Sequence, residues 1–340
     1  MQMASLRNLD GSVAGGRLPQ SQSLNGLATL YKFEDDPHGR HLQWVKTKPE
    51  VLQAESFIDA IKDALSDFKG ASRIVPSPVR TDETLLNVYI DTDLHLGLLS
   101  WGPETGGDYD ISIARDMLLS GTSDLLDASC NTHKCVLLSM GDFFHRDNID
   151  GVTARSGHVL DVDSRYNKQI RCGASVKVEQ VDQALQKHDE VIIVVMPGNH
   201  DEHSAQWLAI ALEYYYSNNP RVTVVNMTNP YWVHEFGATM LLSHHGHLAK
   251  NKRMAGIAAA LYPEIWGRTK YRYGLTGHIH HKTGLEDGGM YVESFQTMAQ
   301  RDAYASDLGL WAMRSMTAIT YSSETGEKTR HTTTPKMVAA

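Results

Sequence analysis

The chain has 340 residues, 41% of them hydrophobic and 21% charged, enough for one large α/β core with an addition or for two separate cores. Its net charge of −8 argues against general attachment to nucleic-acid backbones, less so where acids serve as metal ligands. No run reaches the roughly 18 apolar residues of a bilayer span, the start lacks the apolar core of a secretion signal, and Cys130, Cys135 and Cys172 form no CxxC pair, which fits a reduced, cytoplasmic setting.

Residues 1–26 are rich in Gly, Ser, Asn and Gln without a period and read as a flexible arm. Two short strands are predicted within 28–47, around the turn Asp36-Pro37-His38-Gly39. A helix follows, with Phe57, Ile58, Ile61, Leu65 and Phe68 on one face and Gly70 as its stop. That face reads as packing surface. Residues 27–70 are thus expected to form a small accessory module, and 71–83 a linker.

From 84 to 322 the pattern is that of a catalytic domain. Apolar, β-rich runs recur as "TLLNVYI", "KCVLLSM", "EVIIVVM", "RVTVV", "ATMLLS", "YGLTG", "MYVESF" and "MTAITY". Helices are predicted at 112–127 and 175–188. Such alternation predicts an α/β fold with sheet buried on both faces. Strands near 220–243 follow one another without a helix, so a mixed sheet is expected. Residues 323–340 read as a flexible tail.

The chemistry collects at strand ends. After "LLNVYI" come Asp93 and His95; after "VLLSM", Asp142 and His145; after "VIIVVMP", Asn199, His200, Asp201 and His203. After "TMLLS" come His244, His245 and His247, and after "YGLT", His278 and His280. In α/β sheets ligands bind at the carboxyl ends of strands. Oxygen and nitrogen donors without thiolate suit Mn2+, Fe2+ or Zn2+. The donors outnumber those of one tetrahedral site, which points to two ions sharing a carboxylate, an arrangement suited to in-line phosphoryl displacement.

The ordered set D-x-H, G-D, G-N-H-D, H-G-H and G-H-x-H, spanning roughly 88–281, resembles the calcineurin-like metallophosphoesterase superfamily. The resemblance implies a four-layer α/β/β/α sandwich with a dinuclear centre. It implies one ion held by Asp93, His95, Asp142 and His280, and another held by Asp142, Asn199, His245 and His278, with Asp142 bridging. His200 is similar to the family's catalytic imidazole, and Asp201 beside it is expected to orient that ring. His203 is expected behind the ligands or at the surface. His244 is the alternative to His245, but the family's ligand directly precedes the glycine. The implied cofactors are two divalent ions, Mn2+ first, with Fe2+, Zn2+ and Mg2+ as alternatives.

The expected activity is hydrolysis of nucleic-acid phosphodiesters, as exonuclease or endonuclease, through a hydroxide that bridges the ions, with His200 donating a proton toward the leaving oxygen. "GDFFHRDN" is similar to the corresponding block of SbcD-type DNA repair nucleases, which sets His145 beside the nucleic acid. It departs from the "GDxVDRG" of serine/threonine phosphatases. Lys250, Lys252, Arg253, Arg268, Lys270 and Arg272, interleaved with Trp266, Tyr271 and Tyr273, are the expected substrate-binding set, cations tracking phosphates and aromatics stacking bases. "SRYNKQIRCGASVK" is a second basic stretch. The expected partner is DNA, single-stranded or at ends, with no membrane; a homodimer is compatible. About 60 residues follow His281, where SbcD-type nucleases carry a capping domain, so their ATPase partner is not expected. The alternatives are a small-molecule phosphoesterase (cyclic nucleotide, dinucleotide or phosphomonoester) and, more remotely, a non-catalytic binding scaffold, although no expected ligand is missing.

Overall fold

The computed structural model describes residues 70–153 and 157–334, together with four short strands that precede them. The chain divides into two compact units, 1–68 and 69–340. In the first, β1 (Leu6–Arg7) pairs antiparallel with β2 (Val13–Ala14), inside the segment expected to be a flexible arm. The hairpin predicted within 28–47 is present: β3 (Ala28–Lys32) pairs antiparallel with β4 (Leu42–Lys46). The helix predicted around Phe57–Phe68 lies outside the described residues.

In the second unit the apolar runs build two sheets. β5 (Asp82–Asp91), β6 (Thr132–Ser139), β7 (Glu190–Val195) and β8 (Val222–Val225) pair in parallel, each beside the next. The chain then enters a second sheet of β9 (Trp232–Phe236), β10 (Thr239–His244), β11 (Tyr271–Thr276), β12 (Thr283–Asp287) and β13 (Met290–Ser294), in the order β12-β13-β11-β10-β9. It returns as β14 (Met316–Ser322) and β15 (Gly326–Thr333), which extend the first sheet antiparallel beyond β5. Both sheets are mixed, as the uninterrupted strands near 220–243 predicted.

The helices are α1 (Gly102–Thr105), α2 (Ile111–Ala128), α3 (Tyr166–Leu185), α4 (Ser204–Tyr215), α5 (Met254–Leu261), α6 (Pro263–Arg268) and α7 (Ala303–Asp307). The helix predicted at 112–127 matches α2. That predicted at 175–188 begins at Tyr166 instead, because Asn167, Lys168 and Arg171 hide the apolar period of its first turns.

Alternation along the strands sets the layers. Tyr89, Leu137 and Ile193 face one way, into a core shared with Leu118, Val176 and Leu208 of the helices. Val88, Ile90, Val136 and Leu138 face the other way and meet Leu241 and Leu275 of the second sheet. Met240, Leu242 and Val292, on that sheet's far side, pack against Met254 and Ala258 of α5. The result is the expected α/β/β/α sandwich. Central strands are apolar on both faces, which is why their sequences read as unbroken runs.

Two segments differ from expectation. The 323–340 tail contributes the edge strand β15, and Arg330 on it donates to both oxygens of the buried Glu293 at 2.8 and 2.6 Å. Its sequence looked flexible because an edge strand is polar on its open side. The 71–83 linker runs into β5 from Asp82, and Val75 packs against the helical core while its carbonyl accepts from Arg221 at 2.5 Å. No helix among the described residues is long and apolar enough to cross a membrane.

Candidate metal centre

Five strands, β5, β6 and β7 from one sheet and β10 and β11 from the other, deliver the polar turns named above. The turns are zipped together by their backbones: Asp93 N donates to Gly141 O, His95 N to Asp142 O, and Gly277 N to His245 O. Across the sheets, His278 N donates to Asp93 Oδ2 at 3.0 Å, and the His245 ring donates from Nδ1 to Met140 O at 2.7 Å.

Among the described residues the non-glycine positions with positive φ are Asp93 (51°), His95 (46°), Asp142 (50°), His278 (70°) and His280 (59°). Each is an expected ligand. Left-handed backbone costs a side-chain-bearing residue on the order of 1 kcal/mol or more, and it persists where the surroundings over-determine it. Close approach also demands glycine: a Cβ on Gly198 would sit 2.0 Å from Asp142 Oδ1.

The ligand atoms of Asp93, His95 and His280 lie within 4.8 Å of one another, and so do those of Asp142, His245 and His278. Asp142 joins the two groups, with Oδ2 3.2 Å from His245 Nε2 and 4.0 Å from His95 Nε2. Asn199 Oδ1 completes the second group, 3.2 Å from His245 Nε2. All seven expected ligands therefore meet in one place. His245 is the one of the adjacent pair that enters; His244 turns away, accepting from Gly246 N and stacking on Tyr231 with centroids 4.8 Å apart.

This donor set fits divalent cations. Asp93 Oδ1 is buried and makes no hydrogen bond, although His280 Nε2 lies 3.2 Å away. His95 Nε2 faces His280 Nε2 at 3.4 Å, nitrogen against nitrogen, a contact that a proton or a cation reconciles. His245 donates its Nδ1 proton to a carbonyl, so Nε2 is the nitrogen that can offer a lone pair once its own proton is displaced. Burial alone pushes the Asp142 carboxyl up, yet the imidazoles of His245, His200 and His95 hold it well below the usual carboxylate range. Burial, reinforced by His200, brings His95 down to about 3. Burial opposes protonation of His245, but the Asp142 carboxylate raises that imidazole to about 10, so a cation arriving there displaces a proton.

His200 and His145 lie against the first group, their ligand nitrogens within 4.8 Å of that of His95. His200 N donates to Asp142 Oδ1 at 2.8 Å, and its ring Nδ1 faces His145 O at 2.9 Å. A carbonyl only accepts, so Nδ1 carries the proton and Nε2 is left for chemistry. His145 is buried, its Nδ1 3.3 Å from His95 Nδ1 and its Nε2 without a hydrogen-bond partner.

Asp201 does not orient the His200 ring. Its carboxylate accepts from the backbone of Gly198, Phe144 and Asp142 at 2.8, 3.0 and 3.2 Å, pinning two ligand-bearing turns together. The spacing of adjacent residues suggested contact, but the backbone there turns neighbouring side chains apart. His203 lies at the surface with Nδ1 2.6 Å from Asp147 Oδ2. Asp147 was unmarked in the sequence; its Oδ1 accepts from Ser204 N and Oγ, each at 2.6 Å, fastening the start of α4 to the turn after β6.

The six expected cations separate. Lys250, Lys252 and Arg253 follow β10 on its carboxyl side, where the site is, and their side chains are exposed. Arg268, Lys270 and Arg272 precede or begin β11, whose far end carries His278; five residues of strand at about 3.3 Å each put roughly 17 Å between those ends. Arg268 is held by both oxygens of Glu235 at 2.6 Å, and Arg272 lies over the Trp266 ring at 4.2 Å. Tyr273 is also engaged, its hydroxyl accepting from Glu327 N at 2.8 Å. In the second basic stretch, Lys177 is fully buried, donating to Asp91 at 3.0 Å, to Gln180 at 2.8 Å and to Ser139.

No protein-family model matches the chain, and no curated protein does. Among solved structures, a dimetal phosphatase from Danio rerio is 8% identical, with 75% of this chain and 100% of that one covered and a TM-score of 0.38. A novel archaeal phosphodiesterase is 12% identical, with 73% and 99% covered and a TM-score of 0.35. A conserved uncharacterized protein from Streptococcus pneumoniae, described as a predicted phosphoesterase, is 11% identical, with 74% and 98% covered and a TM-score of 0.29. At such low similarity, function has to be read from the side chains.

Proposed function

We propose that this chain is a metal-dependent phosphodiesterase of the calcineurin-like metallophosphoesterase type, acting on nucleic acid, with DNA as the first substrate to test. The observation that carries this reading is the convergence of five backbone-strained ligand residues, Asp93, His95, Asp142, His278 and His280, on one place. Together with Asn199 and His245 they would hold two divalent cations, Mn2+ being the first choice for this oxygen and nitrogen set. Bound there, such ions supply Lewis-acid stabilisation of the phosphoryl oxygens and activate water at neutral pH.

The chain's own residues do the rest. His200, with its Nδ1 proton fixed by His145 O, presents Nε2 to the phosphate and, when protonated, donates to the leaving oxygen. Asp142 accepts from His200 N, so the carboxylate that would serve both ions and the acid are placed by one hydrogen bond. Asp201 locks the turns that carry Asp142 and Asn199. His145 lines the same side as His200, its ring stacked on that ring at 5.5 Å.

A second reading is a small nucleotide phosphodiester as substrate. The separation of Arg268, Lys270 and Arg272 from the site favours it, because it leaves three exposed cations on one loop where a long polyanion needs a track. Purified protein assayed with Mn2+, Mg2+ or EDTA on bis-p-nitrophenyl phosphate, p-nitrophenyl phosphate, and labelled single- and double-stranded DNA tests both. Metal-dependent cleavage of the diester with little of the monoester is expected. DNA left intact by a metal-loaded, diester-cleaving sample selects the small substrate, and no cleavage of any ester removes both readings.

A further inference from the structure

Beside the His245 side of the centre, a cavity of about 250 Å³ opens between the start of α4, the β8–β9 loop and the loop after β10. Pro197, Met227 and Leu248 give it apolar walls, while Gln206, Asn229 and His247 add hydrogen-bonding groups and Glu202 a carboxylate, an acceptor for the amino edge of a base. Gly198, the neighbour of Asn199, lines it too, so the cavity adjoins the second ligand group. The His247 ring lies 5.3 Å from that of His245 and 6.1 Å from that of His278, and its Nδ1 is buried without a hydrogen-bond partner. Stacking on His244 at 5.6 Å, which itself stacks on Tyr231, fixes the ring's plane.

Apolar faces with polar edges suit a flat heterocycle, which needs stacking on its faces and hydrogen bonds around its rim. A lipid or a plain alkyl ester would leave the polar edge unpaired. The loop that supplies His247 and Leu248 continues into the exposed Lys250, Lys252 and Arg253, which suit the phosphates of the same molecule. A larger cavity of about 760 Å³ lies elsewhere, lined by Lys270, Arg272, Glu293 and Arg330, and contains none of the expected ligands. Its charges are of both signs and neutralise one another.

We propose that the smaller cavity receives the nucleobase of the nucleotide whose phosphate sits at the metal centre, so that the enzyme reads an unpaired base. This rests on the phosphodiesterase reading above. The test combines binding with kinetics on the full chain and on a Gln206→Ala/Leu248→Ala variant, whose changed side chains are exposed.

In calorimetric titrations with Mn2+ present, adenosine 5′-monophosphate is expected to bind about tenfold tighter than inorganic phosphate, and the variant to lose most of that preference. The ratio of kcat/KM between thymidine 5′-(p-nitrophenyl phosphate) and bis-p-nitrophenyl phosphate should fall about tenfold in the variant. Equal affinity of the full chain for nucleotide and phosphate, or an unchanged ratio in the variant, overturns the base site. Retained nucleotide preference without hydrolysis of either ester supports the base site and overturns the phosphodiesterase reading instead.

Discussion

At the scale of single residues, His200 and Gly198 separate catalysis from metal binding. His200 is fixed by its backbone N, which donates to Asp142, and by its Nδ1, which donates to His145 O, so its ring is held by contacts other than a metal. His200→Ala should therefore lower kcat by about 10²–10⁴-fold while metal content, measured by atomic emission, stays at the full-chain value. Equal loss of metal and activity would show that the ring is a ligand. Gly198→Ala should do the reverse of a quiet change: the new methyl meets Asp142 Oδ1 at 2.0 Å, so metal uptake falls. Gly256→Ala is its control. Nothing lies within 4 Å of a Cβ there, and the position is inside α5, so the variant should gain about 0.5–1 kcal/mol and keep its metal.

At the scale of elements, two buried polar contacts fasten helices and loops to the sheet. Lys177 on α3 is fully buried against Asp91, the last residue of β5 and two residues before the ligand Asp93. Breaking one half of such a pair strands the other, so Lys177→Met should cost on the order of 3–5 kcal/mol in urea unfolding. The double change Lys177→Met/Asp91→Leu should recover much of it; a double variant as unstable as the single one would show that charge pairing was not the reason.

His188, after α3, faces the hydroxyl of Tyr89 through Nε2 at 3.0 Å and Thr132 O through Nδ1 at 2.8 Å. Burial brings it down from 6.5 to about 4. Between those values the unfolded chain takes a proton that the folded one refuses. Its contribution to stability is thus present above pH 6.5 and is lost as pH falls through 4, at up to about 1.4 kcal/mol per pH unit. His188→Gln should flatten that part of the stability–pH profile; an unchanged slope would assign it to other groups.

For the whole molecule, the proposed metal centre would also act as a clamp. Asp93, His95 and Asp142 come from the first sheet's strand ends, and His245, His278 and His280 from the second's. Ions bound across that seam would stabilise the assembled sandwich by about 2.7 kcal/mol at a hundredfold excess over Kd. At the usual 2–4 °C per kcal/mol for a unit of this size, EDTA should lower Tm by roughly 5–10 °C. Asp142→Asn should abolish the difference between metal-loaded and chelated samples, and a Tm insensitive to chelation in the full chain would remove the clamp.

What the sequence determined by itself was whatever is written locally. Strands buried on both faces announce themselves as unbroken apolar runs, and the turns after five of them carry Asp, Asn and His at fixed spacings, so an α/β core and a gathering of metal-ligating side chains could be read from residues close together in the chain, while the four-layer sandwich and the seven named ligands came from the resemblance those motifs carry. Only the tertiary structure decided what depends on long-range pairing. It chose His245 over His244, gave Asp201 to three backbone amides, sent Arg268, Lys270 and Arg272 to the far end of β11, sank Lys177 beneath the site and made a polar tail into β15. The physical reason is that a side chain's type is fixed by its codon, whereas its partner is fixed by which strand packs beside it, and that neighbour lies dozens of residues away.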